Sequence, residues 1–178
     1  MLQYKYMEKR KVFISYHHAD QYHKDLFERK YGHLFINKSV KEGDIDTDVS
    51  DDYVKKLIQS VDYLADTSVV IVLIGAETWK RKHVDWEISG ALDQKINGIS
   101  GLFGLLLPTY DGYVNNNYKR ETIPERLSAN IDSGYAKLYK WRENSDLLSY
   151  VNEAFDARKS KTSLIKNRSI TQMQRNLN

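Results

Sequence analysis

Apolar positions along the chain switch between two periods. KVFISY, residues 11 to 16, is a run of β-branched and aromatic side chains after a polar lead-in and predicts a first strand. From Asp20 the spacing changes: DQYHKDLFERKYG sets Tyr22, Leu26 and Phe27 at helical intervals, with Asp20 placed to cap the helix and Gly32 to stop it. HLFINKSV predicts a short second strand, and KEGDIDTDVSDD an acidic loop whose Ser50 or Asp51 caps the next helix. In that helix, DYVKKLIQSVDYLA, the residues Val54, Leu57, Ile58, Val61 and Leu64 form one buried stripe.

TSVVIVLIG, residues 67 to 75, is apolar on both alternating faces, as expected of a strand in the middle of a sheet with helices on both sides. A polar turn, AETWKRK, leads to a helix with Val84, Ile88, Ala91 and Leu92 on its inner face, and GLFGLLLP predicts a fourth buried strand ended by Pro108. Beyond it TYDGYVNNNYKRET reads as loop, AKLYKW as a fifth strand and DLLSYVNEAF as a last helix. Strands alternating with helices through right-handed crossovers build a doubly wound α/β domain around a parallel sheet.

A length of 178 residues suits one domain, and 41% hydrophobic with 29% charged residues excludes a disordered or membrane-embedded chain. No apolar run approaches the roughly 20 residues needed to cross a bilayer, and MLQYKYMEKRKV lacks the apolar core of a secretory signal, so a cytoplasmic protein without a membrane partner is expected. The absence of cysteine removes disulfides, thiolate metal sites and a cysteine nucleophile. Residues 158–178 hold six Lys or Arg and no acid, which leaves the rest of the chain with 21 basic and 24 acidic residues. That stretch is expected to be a weakly ordered, solvated basic tail on a domain spanning 1–157, and nucleic acid is not an expected partner.

Ligands of open parallel sheets bind beyond the carboxyl ends of the strands, which selects the loops SYHHAD, KEGDIDTDVS and GAETWKRKHVDWE. His17, His18 and His23 do not have the layout of a zinc site, because adjacent residues 17 and 18 diverge on an extended loop. Ser15 lacks a strained Gly-x-Ser-x-Gly turn, no phosphate-binding glycine loop follows a strand, and the acids of a phospho-acceptor domain are missing at SYHH and IGAE. No metal or bound cofactor is therefore expected. Two carboxylates remain, Asp85 and Glu87 in the first turns of the third long helix, and helical periodicity does not choose between them.

KVFISYHHAD, VKKLIQSVDYLADTSVVIVLIGAETW and KRKHVDWEISGAL together resemble the TIR domains, in particular the TIR-like branch that includes the TIR-type proteins of Thoeris antiphage systems. The resemblance covers residues 10 to about 107 and implies a flavodoxin-like, five-stranded parallel sheet in the order 2-1-3-4-5. It also implies cleavage of NAD, as substrate and not as cofactor, at the nicotinamide ribosyl bond. HVDWE aligns with the W-C-x-x-E pattern of catalytic members, which assigns the essential carboxylate to Glu87 rather than Asp85, with His83 and Val84 in place of the usual Trp and Cys. Ser15, Tyr16 and His17 match the family's substrate-contacting first loop, with His18, Asp20 and His83 as further contacts, Asp20 also being the expected helix cap. Thoeris relatives make ADP-ribose-derived signals for a separate effector protein, and several TIR sites are completed by self-association. The alternatives are a non-catalytic TIR module that acts by self-association or partner binding, and an unrelated nucleotide-binding α/β domain.

Overall fold

Six consecutive apolar residues can all be buried only where both faces of a sheet are covered, and Val69–Ile74, strand β3, is buried without exception. The computed structural model describes residues 8–40, 50–60, 63–95 and 98–178, so the acidic segment at 41–49 and Val61 of the predicted stripe lie outside the described residues. The other strands are β1 (Lys11–Ser15), β2 (Ile36–Asn37), β4 (Gly101–Leu106) and β5 (Lys137–Lys140). The helices are α1 (Gln21–Tyr31), α2 (Asp51–Ile58), α3 (Lys82–Leu92), α4 (Glu125–Asp132) and α5 (Leu147–Ser160). All strand pairs are parallel, in the order β2-β1-β3-β4-β5. The doubly wound, flavodoxin-like α/β architecture expected of a TIR-like domain is thus the one observed.

Alternation along β3 divides the core in two. Val70, Val72 and Ile74 pack with Ile58, Val84, Ile88 and Leu127, so α2, α3 and α4 cover one face. Val69, Ile71 and Leu73 pack with Phe27, Leu147, Val151 and Ala154, so α1 and α5 cover the other. Each such side chain contributes about 1.5–3 kcal/mol on burial.

Three elements differ from the sequence reading. The second strand is only two residues long, because β2 lies at the sheet edge, pairs with β1 alone and leaves Ile36 45% exposed. Helix α2 starts as expected, with Ser50 Oγ accepting from Tyr53 N, but ends at Ile58, and Leu64–Asp66 forms a separate 3-10 turn. Helix α4 lies between the expected loop at 109–122 and the fifth strand, in a stretch to which the sequence reading assigned no element. Its signal is short: Pro124 at the entry, then Leu127 and Ile131 four residues apart.

The basic tail is the larger correction. Helix α5 runs to Ser160, and the chain then returns across α3 and α4 instead of standing in solvent. Asn167 is buried, its amide nitrogen donates to Ser89 O and to Asp93 Oδ1, and Gln172 Nε2 donates to Ser89 Oγ. Trp86 Nε1 donates to Met173 O at 2.9 Å, and Leu177 N to Lys80 O at 3.0 Å. Backbone and side-chain groups of this strap thus satisfy polar groups of α3.

Candidate active site

The site is built at the carboxyl ends of β1 and β3, the place where strand order reverses. Ser15 is the last residue of β1 and fully buried, and its Oγ donates a hydrogen bond to Glu87 Oε2 on α3. The two residues are 72 positions apart in sequence and meet because β1 pairs with β3, whose exit turn leads into α3. Glu87 is only 7% exposed. Burial pushes its carboxyl up from 4.5 to about 8, with the Ser15 hydroxyl pulling the other way, so the closed site holds Glu87 protonated at neutral pH.

Of the first-loop residues, His17 is buried two positions after Ser15 and His18 is exposed, their rings meeting edge to face at 4.2 Å between centroids. Burial, followed by the nearby charges of Arg81, His18 and His83, lowers His17 from 6.5 to about 4, which makes it a neutral ring whose Nδ1 has no hydrogen-bond partner among the described residues. Tyr16 is half-buried, and its hydroxyl donates to Gln21 Oε1 at 2.5 Å. His83 stands at the start of α3 with Nε2 3.2 Å from Tyr16 O, so the first loop and the Glu87 helix are pinned together there. Burial lowers the His83 pKa as well.

Asp20 does not cap α1, although it occupies the N-cap position. The 3-10 turn His18–Asp20 runs straight into the helix, and Asp20 N and the following N–H already bond to His17 O and His18 O. The buried carboxylate instead accepts from Thr109 Oγ1, 2.6 Å away in the loop after β4. It rests against Gly75, where a Cβ would overlap it. Asp20 therefore ties two strand-end loops together.

Asp85, the other carboxylate left open by periodicity, is engaged in the core. Arg126, 1% exposed, donates from Nε to Asp85 Oδ1 at 2.8 Å, from Nη1 to Asn167 O and Oδ1, and from Nη2 to Ile170 O. Met173 N donates to Asp85 Oδ2 at 2.8 Å. Every polar group of this network is paired, as a buried ion pair requires. It joins α3, α4 and the strap, and leaves Asp85 no freedom to act elsewhere.

Sequence reading missed two neighbours of the site. Arg81, at the N-cap position of α3, has Nη2 3.4 Å from Glu77 Oε2 and an Nε that is buried without a hydrogen-bond partner among the described residues. It sits in a loop that the strand-end rule had already selected, so a cation there was findable. Thr109 follows a proline in a polar stretch and carried no comparable signal. The three histidines do not gather: His23 stacks edge-on with Trp141 on the other sheet face, and among the described residues no group of three His, Cys, Asp or Glu side chains could hold a metal ion.

The site combines one buried carboxyl, a serine that hydrogen-bonds it, and a histidine-bearing loop that follows the serine and is tied to the start of α3. A family model described as Thoeris protein ThsB, TIR-like domain, matches residues 13–105, just over half of the 178-residue chain. That span runs from Phe13 in β1 through the first loop and α3 to Leu105 in β4. No curated protein matches the chain.

Proposed function

Since this chain belongs to the TIR-like family of Thoeris ThsB proteins and serves in TIR-type antiphage defence, we propose that it acts there by cleaving NAD at the nicotinamide ribosyl bond. The observation that carries this reading is the buried Ser15–Glu87 pair at the end of β1, where the first loop begins. In the reaction the C1′–N bond breaks, its electron pair passes to the ring nitrogen, and neutral nicotinamide leaves. No general acid is needed, because the leaving group is a cation before it departs, unlike the alcohol of an ordinary glycoside. The ribose becomes oxocarbenium-like, and the Glu87 carboxylate, with its Ser15 hydrogen bond, stabilises that charge in a site with little water.

Glu87 must be an anion for this, and the closed site keeps it neutral at pH 7. The positive nicotinamide ring brought beside it favours the ionised form, so substrate binding itself would release the proton. His17, neutral and two residues beyond Ser15, is the loop residue that would contact the nicotinamide end, with Tyr16, His18 and His83 as further contacts. Water attacking C1′ gives ADP-ribose and a proton, whereas a nitrogen of the adenine gives a cyclic isomer. Resemblance to Thoeris signal producers favours a product that acts on a separate effector.

The test is incubation of concentrated protein with NAD, with nicotinamide and the product separated by retention and mass. Glu87→Gln should lower nicotinamide release by about a hundredfold or more. Equal release by folded wild type and Glu87→Gln would remove Glu87 from the mechanism. The near-complete burial of Glu87 favours one competing reading, a non-catalytic module that signals by association. No nicotinamide from assembled protein, together with specific capture of a partner, would establish that reading instead.

A further inference from the structure

A second concave site lies on the opposite face of the sheet from Glu87, at the same strand-end rim. It is a cavity of about 520 Å³ between α1 and the segments that leave β4 and β5. That volume falls within the roughly 300–1,000 Å³ of small-molecule sites. Trp141, Tyr113, Pro108 and the His23 ring supply an aromatic and apolar lining. The indole is immobilised from behind: it meets Phe27 edge-on at 6.0 Å and His23 at 6.1 Å, and Tyr113 Oη donates to Trp141 O.

The rim is cationic. Arg29 on α1 and Arg142 after β5 are exposed and both line the cavity. No ion pair neutralises either guanidinium among the described residues. Lys30 also lines the cavity, its Nζ held by the carbonyl of Glu143. Glu143 is the one acid on the lining, so the rim carries a net charge of about +2 at neutral pH. Rigid rings beside planar, always-charged donors suit a ligand with a flat π-system at one end and phosphate at the other.

We propose that this cavity binds a nucleotide-class anion, its base against Trp141 and Tyr113 and its phosphates between Arg29 and Arg142. The site is distinct from the Ser15–Glu87 site and does not depend on the NAD-cleavage reading. Thr109 follows Pro108 and donates to Asp20, so the loop on one wall of the cavity is also tied to the first loop of the other site.

The test is calorimetric titration of ADP, adenosine and inorganic pyrophosphate into full-length Glu87→Gln protein, with and without Arg29→Ala and Arg142→Ala. ADP should bind saturably, and the two arginine changes should weaken it by about tenfold or more. Adenosine and pyrophosphate should each bind about tenfold or more weaker than ADP, and added salt should weaken ADP but not adenosine. ADP binding indifferent to the two arginines would overturn the assignment, and so would no saturable binding at millimolar concentration. Pyrophosphate binding as tightly as ADP would overturn the aromatic half of it. Because binding is measured and not turnover, a protein inert towards NAD tests this site equally well.

Discussion

Replacing Glu87 with Gln is expected to flatten the pH dependence of stability. The folded protein holds the Glu87 proton up to about pH 8, whereas the unfolded chain loses it near 4.5. Stability from this group is therefore complete below pH 4.5 and is lost as pH rises through 8. His17 works in the opposite sense, since its folded value near 4 lies below the ordinary 6.5, but that contribution is already complete above pH 6.5. Lys95, lowered by burial from 10.5 to about 8, acts only above pH 8. Between pH 6.5 and 8 the Glu87 slope stands clear of both. Over about 1.5 pH units at 1.36 kcal/mol each, wild type should lose about 2 kcal/mol. For a chain of this length that lowers Tm by about 4–8 °C. The amide introduced by Glu87→Gln can still accept from Ser15 but carries no proton to lose, so the variant's Tm should be flat over the same range. Thermal melts of both proteins at pH 6.5, 7.25 and 8 measure the difference. Parallel curves would refute the claim that burial holds Glu87 protonated.

Ser15→Ala removes the one interaction that favours ionised Glu87, so the acid limb of the pH–rate profile for nicotinamide release should move to higher pH. An unmoved limb would mean that this hydrogen bond does not bear on the carboxyl. Arg126→Ala strands Asp85 in the core and should cost about 3–5 kcal/mol in urea unfolding, far more than loss of a surface ion pair. Asn176→Ala deletes the acceptor that caps Lys82 N at the start of α3, and amide exchange in the first turn of that helix should quicken, with a loss of about 0.5–1 kcal/mol. Gly75→Ala drives a Cβ into the Asp20 carboxylate and should break its bond to Thr109, at about 1–3 kcal/mol by denaturant melt.

Much of the molecule was legible in the sequence. The strand-like and period-3.6 runs located all five strands, β2 shorter than expected, and the long helices, because burial of apolar side chains is written into spacing along the chain. The family resemblance pointed to Glu87, and periodicity alone left it level with Asp85. Tertiary structure separated the two carboxylates. Asp85 faces Arg126 and the backbone of Met173, whereas Glu87 faces Ser15 at a strand end, and both differences depend on partners 41 to 88 residues away.

The chain by itself determined its layers: an uninterrupted apolar strand must be central, amphipathic helices must cover it, and ligands must meet the carboxyl ends. Only the folded structure decided what the polar residues do. A charged stretch reads as solvated until a buried arginine, a helix flank and an asparagine cap are found to hold it, as they hold residues 166–178. An aspartate before a helix reads as a cap until a threonine 89 positions later supplies a closer donor. Hydrophobic burial is cumulative and shows in local pattern, but a hydrogen bond is a pairing of two atoms, and the second atom's position is set by the fold.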